Sequence, residues 1–197
     1  MIKKSEWLLI IFNLIYIIGF SAYYISIKNI EFIWYIVIMI TLFALIALTL
    51  RKTKFTQPVL GGLSIWGLMH MCGGGLIVKG QVLYALQMIP IWVTQDFYVL
   101  KYDQFVHFYL YFIMVFVIWD LLKNNLNEKP NYIIIYPAIT LISIGIGALN
   151  EFAEFLPVLF LENTGVGGYF NIAWDIVANT FGAVLGTIVL YFKRKSF

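Results

Sequence analysis

A polytopic bundle of transmembrane α-helices, all-α in class, is the fold this sequence predicts. Three observations carry that reading. Hydrophobic residues make up 62% of the chain and charged residues 12%, with a mean hydropathy of +0.89. A soluble domain of 197 residues has too little interior to hide so much apolar surface. The apolar residues gather into six runs, each suited to the roughly 17–25 residues that a bilayer-spanning helix needs. The lysines and arginines fall between those runs rather than inside them.

The first run covers 7–27, behind Met1-Ile2-Lys3-Lys4. A cleaved signal peptide has a shorter apolar core and a small-residue cleavage site, so this run reads as an uncleaved first span. The second covers 32–50 and the third 58–78. The fourth covers 104–122, the fifth 132–156 and the sixth 170–192. Between the third and fourth lies a shorter run from Val82 to Val93, interrupted by Pro90. It is too short to cross and reads as an interfacial or re-entrant segment. Trp92, Tyr98 and Tyr102 in this longest outer connection suit the membrane–water boundary. No linker, low-complexity run or internal repeat divides the chain. A single membrane domain over 1–197 follows, with helices 1 and 2 peripheral and 58–192 forming the core.

Charge fixes the expected topology. Lys3 and Lys4, then Arg51, Lys52 and Lys54, then Lys123 and Lys129, then Lys193, Arg194 and Lys195 share one side. Only Lys28, Lys79 and Lys101 fall on the other. Positive loops stay inside, which predicts a multi-pass protein with both termini in the cytoplasm. The net charge of +3 carries no nucleic-acid motif, and the lone Cys72 permits no internal disulfide.

Depth then isolates the functional candidates. At 1.5 Å per residue, His70 lies about two turns from the outer end of helix 3. Asp103 and His107 open helix 4, Glu151 and Glu154 close helix 5, and Asp175 with Asn179 falls in the first half of helix 6. Both histidines and four of the ten acids thus reach one layer near the outer face. Asp103/His107 and Asp175/Asn179 are spaced i, i+4 and Glu151/Glu154 i, i+3, so each pair shares a helix face. Ionisable groups are costly in lipid and turn inward to line a site or a pathway. No lysine or arginine lies inside a predicted span to offset the carboxylates, so the layer should hold protons or a divalent cation. Glu162 and Asp96 in loops, and Asp120 at the inner end of helix 4, read as solvated. The glycines at 73–75 and the Gly182/Gly186 pair read first as helix packing; the Gly73–Gly75 run could also break helix 3.

Several stretches resemble a known family. They are His70-Met71-Cys72-Gly73-Gly74, Tyr102-Asp103-Gln104-Phe105-Val106-His107-Phe108, Asn150-Glu151-Phe152-Ala153-Glu154, and Trp174-Asp175-Ile176-Val177-Ala178-Asn179 with Gly182 behind. In order and spacing they resemble the YjdF-type inner-membrane proteins. More broadly they resemble the VanZ-like membrane proteins, which share the Asp-x-x-x-His helix start and the later Asp-x-x-x-Asn-x-x-Gly helix. The resemblance implies a bacterial cytoplasmic membrane and a link to glycopeptide tolerance. It also implies a relation to enzymes that process the head groups of phospholipids and polyprenyl lipids, with these six residues as the active site.

Three functions compete. In an enzyme working on membrane lipids, His107 serves as base or nucleophile oriented by Asp103, with His70 as the partner acid. Glu151, Glu154 and Asp175 then hold a divalent cation that screens the substrate phosphate. In a transporter the acidic layer is a proton or cation site, but helix 4 from Phe108 to Trp119 and helix 5 from Ile133 to Leu149 lack charge, and a through-path needs polar lining. In a scaffold the layer only locks four helices together.

Overall fold

A computed structural model describes residues 3–93, 98–126, 130–160, 164 and 167–195. The predicted helices are all present: α1 (Lys4–Ser26), α2 (Ile30–Thr53), α3 (Gln57–Gly75), α4 (Tyr102–Leu122), α5 (Tyr132–Phe160) and α6 (Tyr169–Lys195). All but α3 are long and apolar enough to cross a membrane. Six glycines, with Gln57, Ser64 and His70, dilute the hydropathy of α3. Asn29 caps α2 by accepting a hydrogen bond from the Phe32 amide at 3.1 Å.

The chain divides into two compact units, Met1–Leu86 and Gln87–Phe197. In the first, α1 packs against α2 and α3. Its core is aromatic and aliphatic, with Tyr16, Ile17, Tyr24, Phe32, Tyr35, Ile36, Met39 and Met71 buried together. Helix α3 therefore packs on α1 within this unit. The Gly73–Gly75 run stays helical, and the phenyl ring of Phe32 lies where a side chain on Gly74 would sit.

The connection between α3 and α4 carries regular structure that the sequence reading did not anticipate. Among the described residues it holds two antiparallel strand pairs with a short 3-10 turn at Leu83–Ala85 between them. Strands β1 (Ile77–Val78) and β2 (Gln81–Val82) pair antiparallel. Their turn places Lys79 at φ 52° and Gly80 at φ 79°, the left-handed pair that suits the twist of a two-residue hairpin. In the second unit β3 (Gln87–Val93) pairs antiparallel with β4 (Tyr98–Lys101), with an irregularity between Gln87 and Trp92. Pro90 is tolerated there because a two-stranded ribbon is all edge.

In the second unit α4 packs against both α5 and α6, which also pack on each other. Two small residues set the closest approach. A Cβ on Gly182 would fall 2.2 Å from the Phe108 carbonyl oxygen, and one on Gly186 would fall 2.7 Å from that of Phe112. Only glycine lets α6 lie this close to the α4 backbone. One end of the bundle is filled by Val115, Ile118, Ile139, Ala183 and Leu190. There Arg194 donates to the Tyr136 hydroxyl at 2.7 Å and stacks over Tyr132. Asp120 is not solvated as expected: it is 3% exposed and ion-paired with Lys123 at 2.6 Å.

Candidate functional site

Each helix of the second unit presents one polar stripe. On α4, Asp103 and His107 are one turn apart. On α5, Gly147, Glu151 and Glu154 follow at i, i+4 and i+7, with Asn150 beside them. On α6, Asn171, Asp175, Asn179, Gly182 and Gly186 recur every three or four residues. Such spacing keeps each set on one helix face, and the packed apolar surroundings leave those faces only one another to meet.

His107 is the centre. It is 6% exposed. Its Nδ1 lies 3.1 Å from Asn179 Oδ1 and 3.3 Å from Glu151 Oε1. Its Nε2 lies 3.6 Å from Asp103 Oδ1 and 3.7 Å from Glu154 Oε1. Residues from all three helices thus surround a single imidazole. Asn179 donates its amide to Glu151 Oε1 at 3.1 Å. That bond turns the amide oxygen of Asn179 toward His107, so Nδ1 is the nitrogen that carries hydrogen and donates. Nε2 makes no hydrogen bond among the described residues.

The second half of the site is built on Asn171. Its amide donates to Asp175 Oδ2 at 2.5 Å and to Asp103 Oδ2 at 3.3 Å. Its own carbonyl oxygen accepts a hydrogen bond from the Lys101 ammonium. Lys101 also stands 3.8 Å from Asp103 Oδ2. Asn150 donates to Glu154 Oε1 at 2.8 Å. The inner carboxylates are incompletely satisfied: among the described residues Asp175 Oδ1 and Glu151 Oε2 are buried without a hydrogen-bond partner. One acid, one histidine and a second acid, Asp103, His107 and Asp175, offer ligand atoms that all lie within 4.8 Å of one another.

The structure therefore brings together five of the six expected residues: Asp103, His107, Glu151, Glu154 and Asp175. His70 lies in the first unit with partners of its own. Its Nδ1 is 2.5 Å from the Tyr84 hydroxyl. Its ring stacks on Trp66 and meets Phe32, Tyr35 and Tyr84 at centroid distances of 5.5–5.9 Å. Glu162 and Asp96 lie outside the described residues.

Sequence reading missed four contributors. Asn171 and Asn150 are uncharged and carry no conspicuous signal, although Asn171 stands one turn before Asp175 on the same stripe. Gln104 closes the first turn of α4, accepting from the Lys101 amide at 3.0 Å. Lys101 corrects the expectation that no fixed cation faces the acids. It precedes the predicted span, yet as the N-cap of α4 it directs its long side chain back over the site.

No curated protein and no solved structure matches the chain. The family described as "Predicted membrane protein (DUF2238)" matches it over residues 7–196. The chain, a multi-helix integral membrane protein, belongs to that family.

Proposed function

We propose that the second unit is a membrane-embedded enzyme that processes the phosphate-bearing head group of a membrane lipid. The carrying observation is the convergence of Asp103, His107, Glu151, Glu154 and Asp175, from three apolar helices, around one buried imidazole. A structural lock has no need of so many acids, since amides and hydroxyls fasten helices at lower desolvation cost. Thr140 with Thr187, and Ser143 with the Tyr111 carbonyl, fasten these same helices elsewhere.

A lipid is favoured as substrate because the site's sequence neighbours face outward. Phe152 and Phe155 flank the α5 acids at 59% and 42% exposure, and Ile176 follows Asp175 at 42%. These exposed apolar side chains would give a lipid an apolar approach beside the polar residues. The distribution of lysine and arginine supports an outer-leaflet position with both termini in the cytoplasm, and the family resemblance of the motifs implies a bacterial membrane. A conducting role is less well supported. The apolar plug of Val115, Ile118, Ile139, Ala183 and Leu190 offers no polar lining for a through-path. The YjdF-type and VanZ-like resemblance of the motifs points the same way as the geometry.

The test is turnover of head-group-labelled phospholipids and polyprenyl phosphates by purified protein in vesicles, alongside lipid profiles of cells lacking the protein. Release or exchange of label that Glu154→Gln abolishes is the expected result. No turnover of any lipid class, with unchanged cellular profiles, would end this reading.

A further inference from the structure

The geometry points to a single divalent transition-metal site formed by Asp103, Asp175 and His107 through Nε2, with Glu151 and Glu154 outside the ligand set. This deepens the proposed function and rests on that reading only for the role of the ion, since metal binding is measurable without any lipid. It also departs from the expected set of Glu151, Glu154 and Asp175.

Three separate observations carry it. First, Asp103, His107 and Asp175 alone among the described residues have ligand atoms mutually within 4.8 Å. Ligand bonds of about 2.0–2.1 Å in a tetrahedral site place neighbouring ligand atoms about 3.4 Å apart, and Asp103 Oδ1 stands 3.6 Å from His107 Nε2. Second, Asp175 is fully buried with Oδ1 unpartnered. An orphaned carboxylate oxygen in an apolar interior costs about 1–3 kcal/mol or more, and a bound cation satisfies it. Third, each of the three residues is already oriented by a hydrogen bond within the site. Asn171 holds Asp175 Oδ2 and Asp103 Oδ2, and Asn179 holds His107 Nδ1. Metal-bound histidines commonly donate their second ring N–H in this way, which leaves the other nitrogen's lone pair for the ion.

Charge counting agrees. With all four carboxylates ionised, Lys101 would be the one lysine facing them among the described residues, and a divalent ion would reduce the imbalance from three charges to one. The mixed nitrogen and oxygen donors favour zinc or manganese over magnesium or calcium, which prefer oxygen alone. Three protein ligands leave a position for water or a head-group oxygen, as catalytic sites require. Glu154, 3.7 Å from the same Nε2 but outside the ligand group, is then placed to carry a proton.

Purified full-length protein in nanodiscs, stripped with chelator and titrated with Zn²⁺ or Mn²⁺, tests the site by calorimetry and elemental analysis. One ion per chain is expected for wild type and for Glu154→Gln. At least a tenfold weaker affinity is expected for Asp175→Asn and His107→Gln, with Mg²⁺ binding weaker than either metal throughout. Wild-type protein that binds neither metal, or an Asp175→Asn variant that binds as wild type does, overturns the assignment; if Asp175→Asn fails to fold, the wild-type stoichiometry and His107→Gln decide. Metal bound without lipid turnover would refute the enzyme reading and leave this site standing. Turnover by metal-free protein would refute the ion's role in the reaction and leave the enzyme.

Discussion

Asn179 lies between His107 and Glu151, its amide oxygen 3.1 Å from the imidazole Nδ1 and its amide nitrogen 3.1 Å from the carboxylate. One uncharged side chain thus selects the tautomer of the central histidine and restrains a buried acid at the same time. Asn179→Leu preserves approximate volume but removes both bonds, leaving His107 Nδ1 and Glu151 Oε1 to face only each other at 3.3 Å. The expected cost is about 1–3 kcal/mol in all, with loss of lipid turnover. Thermal unfolding in detergent, paired with the vesicle assay, checks both effects. Unchanged Tm and unchanged turnover would remove Asn179 from this role.

The backbone contact between α4 and α6 gives a purely structural prediction. Gly182→Ala places a methyl group against the Phe108 carbonyl and should destabilise the unit by about 1–3 kcal/mol, the usual range for overpacking. Gly145 has open space where its Cβ would be. Gly145→Ala should therefore be neutral, or stabilising by up to about 1 kcal/mol through better helix propensity. The opposite signs, measured as Tm shifts in one detergent, make the pair its own control.

Lys101 separates stability from function. Its contact with Asp103 is partly exposed, both side chains retaining some solvent access, and such pairs contribute about 0–1 kcal/mol. Lys101→Met should leave Tm nearly unchanged while lowering turnover of an anionic lipid at least tenfold, about 1.4 kcal/mol in the barrier. It should not weaken metal binding, since it removes a competing positive charge. Equal turnover by the variant would show that this lysine only tethers Asn171.

Topology is directly testable. Reporter fusions at the N- and C-termini should both register as cytoplasmic, and a reporter inserted at the Lys79–Gly80 turn should register outside. A Lys79–Gly80 reporter on the cytoplasmic side would invert the placement of the site.

Much of this site was legible in the sequence because its acids interrupt apolar runs, where an ionisable residue is conspicuous and helical spacing fixes its depth and face. Asp103, His107, Glu151, Glu154 and Asp175 were found that way. His70 shows the limit of the method. Depth places a residue in a layer, not beside a neighbour, and within its own unit His70 meets Trp66, Tyr35 and Tyr84. Asn171 and Asn150 escaped because amides cost less to bury than charges and so stand out less in an apolar run. Asp120 was misread because it sits next to polar residues at a helix end, where sequence gives no measure of side-chain burial. The hairpins escaped because the run around Pro90 was judged by length for crossing a bilayer, although Lys79-Gly80 already carried a turn signal.

The glycine contacts of α6 also dictate how the site can move. With Gly182 and Gly186 seated against the carbonyls of Phe108 and Phe112, α4 and α6 cannot slide past each other without driving backbone into backbone. Asp103, His107 and Asp175 are therefore held at a spacing fixed by backbone contact, and the Glu151 and Glu154 carboxylates meet them from a separate helix, α5.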